Sequence, residues 1–398
     1  PEKILVCAPS NVAIDEIVRK IMAVGLIDSE GETYHPKFIR IGPNYHPSVR
    51  EVSLDYLVSQ RLGKDDSAKD FEKVKNEILS NVKIVCATLS MAGSNILTSL
   101  NQKFDTVLID EAAQAVEIST LIPLKYMCER FILVGDPKQL SATVFSRNAL
   151  KHGYDQSLFK RFQEAGHEVT VLRTQYRMNS VISKFISDTF YDSLLEDDSN
   201  IGVTTTENAK HLSDPCFQPF TYYDIESDET FINSSYYNES QVLIIAELVT
   251  KLEKFYKKQE IIEKLAIISP YSFQVLKIKE ALKYLGYPEL EVNTVDGFQG
   301  REKDMIIFST VRSKGSRTIG FLSEERRMNV GLSRAKSCLI VIGDSKKLIK
   351  DKNWDKLVRY SFRNGTFYKV KGNIKKYFSQ FENKYNDYLV KTEETFVK

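Results

Sequence analysis

The sequence is poor in cysteine and shows no cysteine pattern. Its five thiols, Cys7, Cys86, Cys128, Cys216 and Cys338, are scattered without a C-x-x-C pair, so the usual zinc and iron–sulfur spacings are excluded within this chain. Three of them sit inside apolar runs, as buried thiols in a reducing compartment do. No uninterrupted apolar stretch is long enough to span a bilayer, and no signal-peptide pattern is present; no membrane partner is expected. Charge of one sign is not in excess either, with 55 Lys plus Arg against 53 Asp plus Glu. Any phosphate-binding surface therefore has to be local. There is no internal repeat at a fixed period. An initiator Met is also lacking: the chain opens at Pro1, directly before a strand-like run, and reads as a fragment.

What is present is enough for two domains, since the chain has 398 residues of which 42% are hydrophobic. Short β-branched runs recur at Lys3–Ala8, Lys83–Thr88, Thr106–Asp110, Phe131–Gly135 and Val169–Leu172, with helical patterns such as Ala13–Met22 between several of them. A second series follows at Leu265–Ser269, Glu291–Thr294, Met305–Val311 and Cys338–Gly343. Strands alternating with helices predict α/β domains with parallel sheets, two of them in tandem. The boundaries expected are 1–190 for the first domain, 191–365 for the second and 366–398 for a helical or flexible tail. The polar stretch Asp192–Ser240 reads as the linker region. Residues 28–80, with turn signals at Gly31, Pro36, Gly42 and Pro47 and then charged helical sequence, read as a helical insertion projecting from the first domain.

Chemistry is concentrated at strand ends. The run Val107-Leu108-Ile109 ends in Asp110-Glu111, followed by Ala112-Ala113-Gln114. Two adjacent carboxylates at the carboxyl edge of a parallel sheet suit a magnesium–nucleotide site, Asp110 near the metal and Glu111 orienting the attacking water. The plainer alternative is a pair of helix-capping acids. In Ile132-Leu133-Val134-Gly135-Asp136-Pro137-Lys138-Gln139, Gly135 lets the backbone leave the strand tightly and Gln139 offers an uncharged donor to a terminal phosphate; the alternative is a surface turn. In Gln175-Tyr176-Arg177-Met178, Tyr176 offers a flat ring for adenine and Arg177 a fork for phosphate, against an ordinary helix start.

The polar connection Asn293–Asp304 carries Thr294, Val295, Gly300 and Glu302. Its glycines let backbone amides approach a ligand, Thr294 suits a nucleic-acid phosphate and Glu302 a nucleotide sugar. Arg334, just before the strand at Cys338, is placed to act as an arginine finger, or else lies on a solvated basic helix face. Arg326 and Arg327 read as structural. Pro9, Ser10 and Asn11 form a phosphate cradle at a helix N-terminus, with Ser10 also a candidate N-cap. Thr88 with Ser90, and Pro270 with Tyr271, occupy equivalent strand ends. Contacts of this kind grip a backbone and ignore base sequence.

In set and order, APSNVAIDEI, LIDEAAQ, VGDPKQL, QYRM, NTVDGFQGREKD and MNVGLSRAK resemble the motifs of superfamily-1 type B helicases of the up-frameshift/senataxin group, with senataxin nearest in flavour. The resemblance spans Pro1 to about Ser345. It implies two RecA-like domains with ATP between them, single-stranded RNA or DNA crossing both, and 5′→3′ translocation by a monomeric motor. It further implies Mg²⁺ on Asp110, water activation by Glu111, phosphate sensing by Gln114 and Gln139 beside Gly135 and Asp136, adenine on Tyr176, γ-phosphate on Arg177 and Arg334, and ribose on Glu302. Pro9, Ser10, Asn11, Thr88 and Thr294 would line the track. A nuclear location (the cytoplasm being the alternative), transcription or RNA-processing partners, and a role in transcription termination or R-loop removal follow from the same likeness.

The phosphate-cradling loop G-x-x-x-x-G-K-[ST] occurs nowhere in these residues, so they are expected not to hydrolyse ATP efficiently by themselves. Ser141-Ala142 replaces the usual Pro-Pro after the GDPKQL segment, and Gly331 stands where Ala is common. A non-catalytic RNA-binding scaffold derived from a helicase is the rival reading. The retained acid pair and both arginines weigh against it. A replicative helicase–nuclease would need carboxylates and cysteines not found here.

Overall fold

The computed structural model describes residues 2–62, 68–98, 103–314, 318–372 and 374–378. They form two compact units, 1–170 and 171–398.

In the first unit, β1 (Ile4–Ala8), β2 (Phe38–Ile41), β3 (Ile84–Thr88), β4 (Thr106–Ile109) and β5 (Arg130–Leu133) make one sheet in the order β2-β3-β1-β4-β5, every pair parallel. The central strands β1, β3 and β4 are mostly apolar and buried, as strands of a parallel sheet covered on both faces are, while β5 at the edge is partly exposed. Side chains alternate: Leu5 and Cys7 join Val85, Val107 and Ile109 on one face, and Val6 and Ala8 join Cys86 on the other. The second face is covered by α1 (Asn11–Val24), whose Ile14, Val18 and Ile21 repeat at helical spacing. Ser10 caps α1 by accepting the Ala13 N–H at 3.1 Å, and Gly25 ends it at φ +78°.

Residues 28–80 are not a projecting insertion. Phe38–Ile41 is the edge strand of the main sheet, and α2 (Leu54–Arg61) and α3 (Ala68–Asn81) bury Leu54, Val58, Ile78 and Leu79 in the sheet's core. The strand is only four residues long between Pro36 and Gly42, too short to stand out from the turn signals around it. The run Val169–Leu172 is not a strand either. It is exposed and irregular, with no ladder partner among the described residues.

The second unit has a six-stranded sheet of β6 (Phe220–Asp224), β7 (Leu265–Ile268), β8 (Glu291–Asn293), β9 (Lys303–Ser309), β10 (Ala335–Gly343) and β11 (Phe367–Lys369), in the order β8-β7-β9-β10-β6-β11. All its pairs are parallel. One face packs Ile267, Ile307, Ile340 and Tyr223 against α5 (Glu239–Leu252) and α6 (Ser272–Tyr284). Toward the other lie α4 (Ser180–Phe190) and α8 (Lys352–Arg363): Phe185 meets Phe220 and Tyr360, and Trp354 meets Phe308.

Two expectations change here. The stretch 192–240 is not a linker, since it contains β6, whose five residues are all buried. The division at 170/171 falls earlier than the expected 190/191 because α4 buries Ile182, Phe185 and Ile186 within the second unit. Most of the expected tail, residues 379–398, lies outside the described residues, but its start supplies β11.

One buried ion pair organises the first unit. Arg40 on β2 is fully buried and donates to Asp15 of α1 at 2.8 Å and to Asn11 at 2.7 Å, while Asp15 also accepts the His46 N–H at 2.7 Å. Asp15→Ala leaves the Arg40 charge uncompensated and is expected to cost about 3–5 kcal/mol. Urea unfolding measures it, and a loss below about 1 kcal/mol would show that other groups neutralise Arg40.

Candidate functional site

Parallel registry brings the motif residues of the first unit to one edge. Ala8 pairs with Thr88, Cys7 with Ile109, and Ile109 with Leu133, so the Pro9–Asn11, Thr88–Ser90, Asp110–Glu111 and Gly135–Asp136 segments all leave the carboxyl edge of the same sheet. Beyond the strands the ladder continues. Asp110 N–H donates to the Cys7 carbonyl at 2.9 Å, Val134 N–H to Ile109 and Ala112 N–H to Val134, both at 2.8 Å.

Glu111 is held in left-handed backbone at φ +53°, a conformation that a non-glycine residue keeps only when its surroundings enforce it. The enforcing bonds are visible. Asp110 Oδ1 accepts the Glu111 N–H at 2.9 Å, and the Gln114 amide donates to the Glu111 carboxylate at 2.5 Å. Gln114 therefore braces Glu111. Gln139 similarly donates to Asp136 at 2.9 Å, and Asp136 also accepts the Lys138 N–H. Gly135 lies against this turn, and a Cβ there would meet Ala113 N at 2.7 Å and Ala112 N at 3.1 Å.

Of the track candidates, Ser10 caps α1, and Asn11 accepts from Arg40. Thr88 caps the turn Leu89–Ala92, accepting from Met91 N at 3.2 Å, and Ser90 is exposed.

In the second unit, Gln175 shapes the turn that presents Tyr176 and Arg177. Its side-chain Oε1 accepts the Arg177 and Met178 N–H groups at 3.0 and 2.7 Å. Tyr176 is 72% exposed. Arg177 pairs with Glu302, and Lys336 reaches the other Glu302 oxygen at 2.9 Å. Burial alone would raise the Glu302 pKa, but Arg177 and Lys336 outweigh it and hold the carboxyl at about 2. The trio lies in an open cleft of about 310 Å³ that also takes in Thr204, Lys264 and Asp304. Gln175 and Lys336 were not legible as site residues, because their roles depend on where the turns fold back.

Thr294 caps the turn Asp296–Phe298, accepting from Gly297 N at 3.1 Å, and Gly300 takes φ +74°. Arg327 bonds Asp296 of this loop at 3.1 and 3.2 Å. Two candidates are corrected. Val295 is fully buried and Tyr271 is 3% exposed, so neither side chain can line a track; Val295 fills the core and Tyr271 bonds the Ile319 carbonyl at 3.2 Å. Pro270 remains at the strand end. Arg334 is 3% exposed and donates to the Val330 carbonyl at 2.9 Å and to Ser333 at 3.0 Å. It is folded against α7 (Glu325–Leu332) rather than projecting from it.

Two parallel-sheet α/β units, the first with an acid pair at its strand edge and the second with an Arg–Glu–Lys cleft, define a RecA-like core. Two family models, each described as an AAA domain, match residues 1–75 with 63–147, and residues 154–346. The chain is 44% identical to the probable helicase MAGATAMA 3 of Arabidopsis thaliana over 95% of its own length and 48% of the relative's. It is 34% identical to helicase sen1 of Schizosaccharomyces pombe, over 90% of its own length and 26% of the relative's. A solved complex of Arterivirus nonstructural protein 10 (helicase) with DNA aligns at 12% identity and TM-score 0.40, covering 86% of this chain and 54% of that one. The chain belongs to the superfamily-1 helicases of the up-frameshift/senataxin group. It spans about half the length of the Arabidopsis relative, and less of the yeast one.

Two outcomes follow. Gly135→Ala forces a backbone shift at Ala112–Ala113 and is expected to cost about 1–3 kcal/mol, read by thermal or denaturant unfolding; an unchanged midpoint would mean the turn yields freely. Because the Glu302 pKa is depressed, its ion pairs stabilise fully above an unfolded value of about 4.3 and are lost as pH falls from there towards 2. Glu302→Gln should therefore flatten the acid limb of stability between about pH 5 and 3, and an identical acid limb in both proteins would exclude Glu302 as its source.

Proposed function

We propose that this chain is the greater part of a motor that couples ATP hydrolysis to movement along single-stranded RNA or DNA. The observation that carries this reading is Glu111, held in strained backbone by Asp110 and Gln114 at the carboxyl edge of a parallel sheet. A turn that only capped a helix would have no need of that conformation.

Asp110 is the residue that would hold Mg²⁺, a hard cation suited to a carboxylate and phosphate oxygens. When bound, the ion neutralises charge on the transferring phosphoryl group. Glu111 orients the attacking water and accepts its proton. Gln139, from the adjacent strand end, senses the terminal phosphate. Tyr176 stacks on adenine, and Arg177 and Arg334 contribute guanidinium charge to the γ-phosphate. For Arg334 this requires release from the Val330 carbonyl. Glu302 meets the ribose, and Lys336 keeps it ionised and oriented.

Ser10, Asn11, Thr88 and Thr294, at carboxyl edges of the two sheets, grip nucleic-acid phosphates through hydroxyl, amide and backbone N–H groups. Such contacts carry no base code, so binding is salt-sensitive and base-tolerant. Movement from 5′ to 3′, a nuclear location and work in transcription termination or R-loop removal rest on kinship with the senataxin branch.

In the full-length protein, Glu111→Gln is expected to abolish nucleic-acid-stimulated ATPase activity while nucleotide binding persists. Single-turnover hydrolysis with an equilibrium binding measurement separates the two. Normal turnover in the variant would remove Glu111 from the mechanism and favour a scaffold.

A further inference from the structure

Beyond the residues assigned above, the carboxyl edge of the second sheet carries a connected row of aromatic rings. Ring centroids are 4.8 Å apart for Phe231 and Tyr236, 5.7 Å for Tyr236 and Tyr271, and 6.0 Å for Tyr271 and Phe321. Of the inner rings Tyr271 is buried and Tyr236 half-buried. The two end rings lie in solvent: Phe231 is 62% exposed and Phe321 53%.

Beneath them lies a network of buried polar contacts. Arg312, 3% exposed, lies 3.9 Å over the Tyr236 ring and pairs with buried Glu229 at 3.1 Å. The preceding Val311 has φ +65°, a rare state for a β-branched residue. It is held by its N–H to Gln241 at 2.9 Å and its carbonyl to Asn238 at 3.2 Å. Phe321 stands on the turn Gly320–Ser323. Gly320 approaches so closely that a Cβ would meet Tyr271 Oη at 3.0 Å, and Trp354 Nε1 donates to the Leu322 carbonyl at 2.8 Å. Leu322 is thus drawn inward and Phe321 left outward. Arg327 covers Phe321 at 5.3 Å and is the same residue that bonds Asp296 in the Thr294 loop, so the outer ring is tied to the segment proposed to hold phosphate.

We propose that Phe231 and Phe321 are base-stacking platforms for single-stranded nucleic acid. This rests on the nucleic-acid reading above and extends it from phosphate contacts to base contacts. Flat rings fixed in solvent beside hydroxyl- and amide-bearing strand ends suit unpaired bases, because every base has a π-face. A protein-docking patch is the competing use of such exposed rings. The geometry here joins Phe321 through Arg327 to the loop proposed to hold phosphate, and Phe231 to Phe321 through Tyr236 and Tyr271.

The test is fluorescence anisotropy of the full-length protein with labelled single-stranded oligonucleotides, together with 2-aminopurine fluorescence. Phe231→Ala and Phe321→Ala are each expected to weaken binding roughly ten-fold. The slope against log salt should stay the same, since no phosphate contact is removed. Quenching of 2-aminopurine should fall, and Phe321→Trp should restore it. Both rings are exposed, so unfolding midpoints should match the parent. Parent-like affinity in both alanine variants overturns the proposal and leaves the rings to a protein partner. Weakened binding with unchanged quenching overturns stacking as the cause. A parent protein that binds no single strand fails at the earlier step, the nucleic-acid reading itself.

Discussion

Parallel pairing of Ile109 with both Cys7 and Leu133 is the constraint on which the first unit's chemistry depends. It makes three strands end together. Backbone bonds that run past the strands, from Asp110 to Cys7, Val134 to Ile109 and Ala112 to Val134, then fix the exits of the chain. Only with those exits fixed can Gly135 lie against the Ala112–Ala113 backbone and Glu111 be kept in a conformation it would otherwise leave. Carboxylates carried on a loose turn would be hydrated and mobile. Here they leave the carboxyl edge of one parallel sheet, the edge at which such sheets bind ligands.

The second unit uses different physics for comparable precision. Its cleft is organised by opposite charge, with Arg177 and Lys336 closing on the two oxygens of Glu302. Its other sheet edge is organised by buried amides and a buried ion pair, which hold Val311 and Arg312 where packing alone would not. Buried charge of this kind is costly unless it is paired, and here Arg312 is paired with Glu229. Beside that edge two phenyl rings, Phe231 and Phe321, stand in solvent.

Much of this was legible in the residues. Asp110-Glu111 after an apolar run, Gly135-Asp136 after another, and Tyr176-Arg177 before a helix are local patterns, and short-range rules place each at a strand or helix end. What stayed hidden was set by distant partners. Phe38–Ile41 looks like part of a turn-rich insertion until β3 pairs with it. Phe220–Asp224 sits in a polar stretch, and only its neighbours β10 and β11 make it a buried strand. Val295 and Tyr271 stand in motifs that suggest exposure, yet both turn inward because the core beside them needs filling. Nothing within a few residues of Arg40 announces that it will be buried with Asp15.

The sequence by itself determined the class of chemistry, since acids, amides and guanidinium groups at strand ends follow from the order of residues and the geometry of parallel sheets. Tertiary structure alone decided which side chains became tools and which became supports: Gln114 as the brace of Glu111, Lys336 as the second cation on Glu302, Arg327 as the tie between a loop and an aromatic ring. The physical reason is reach. Hydrogen bonds and ion pairs act over about 3 Å, and which groups come within that distance depends on the packing of segments far apart in the chain, a property that no local pattern encodes.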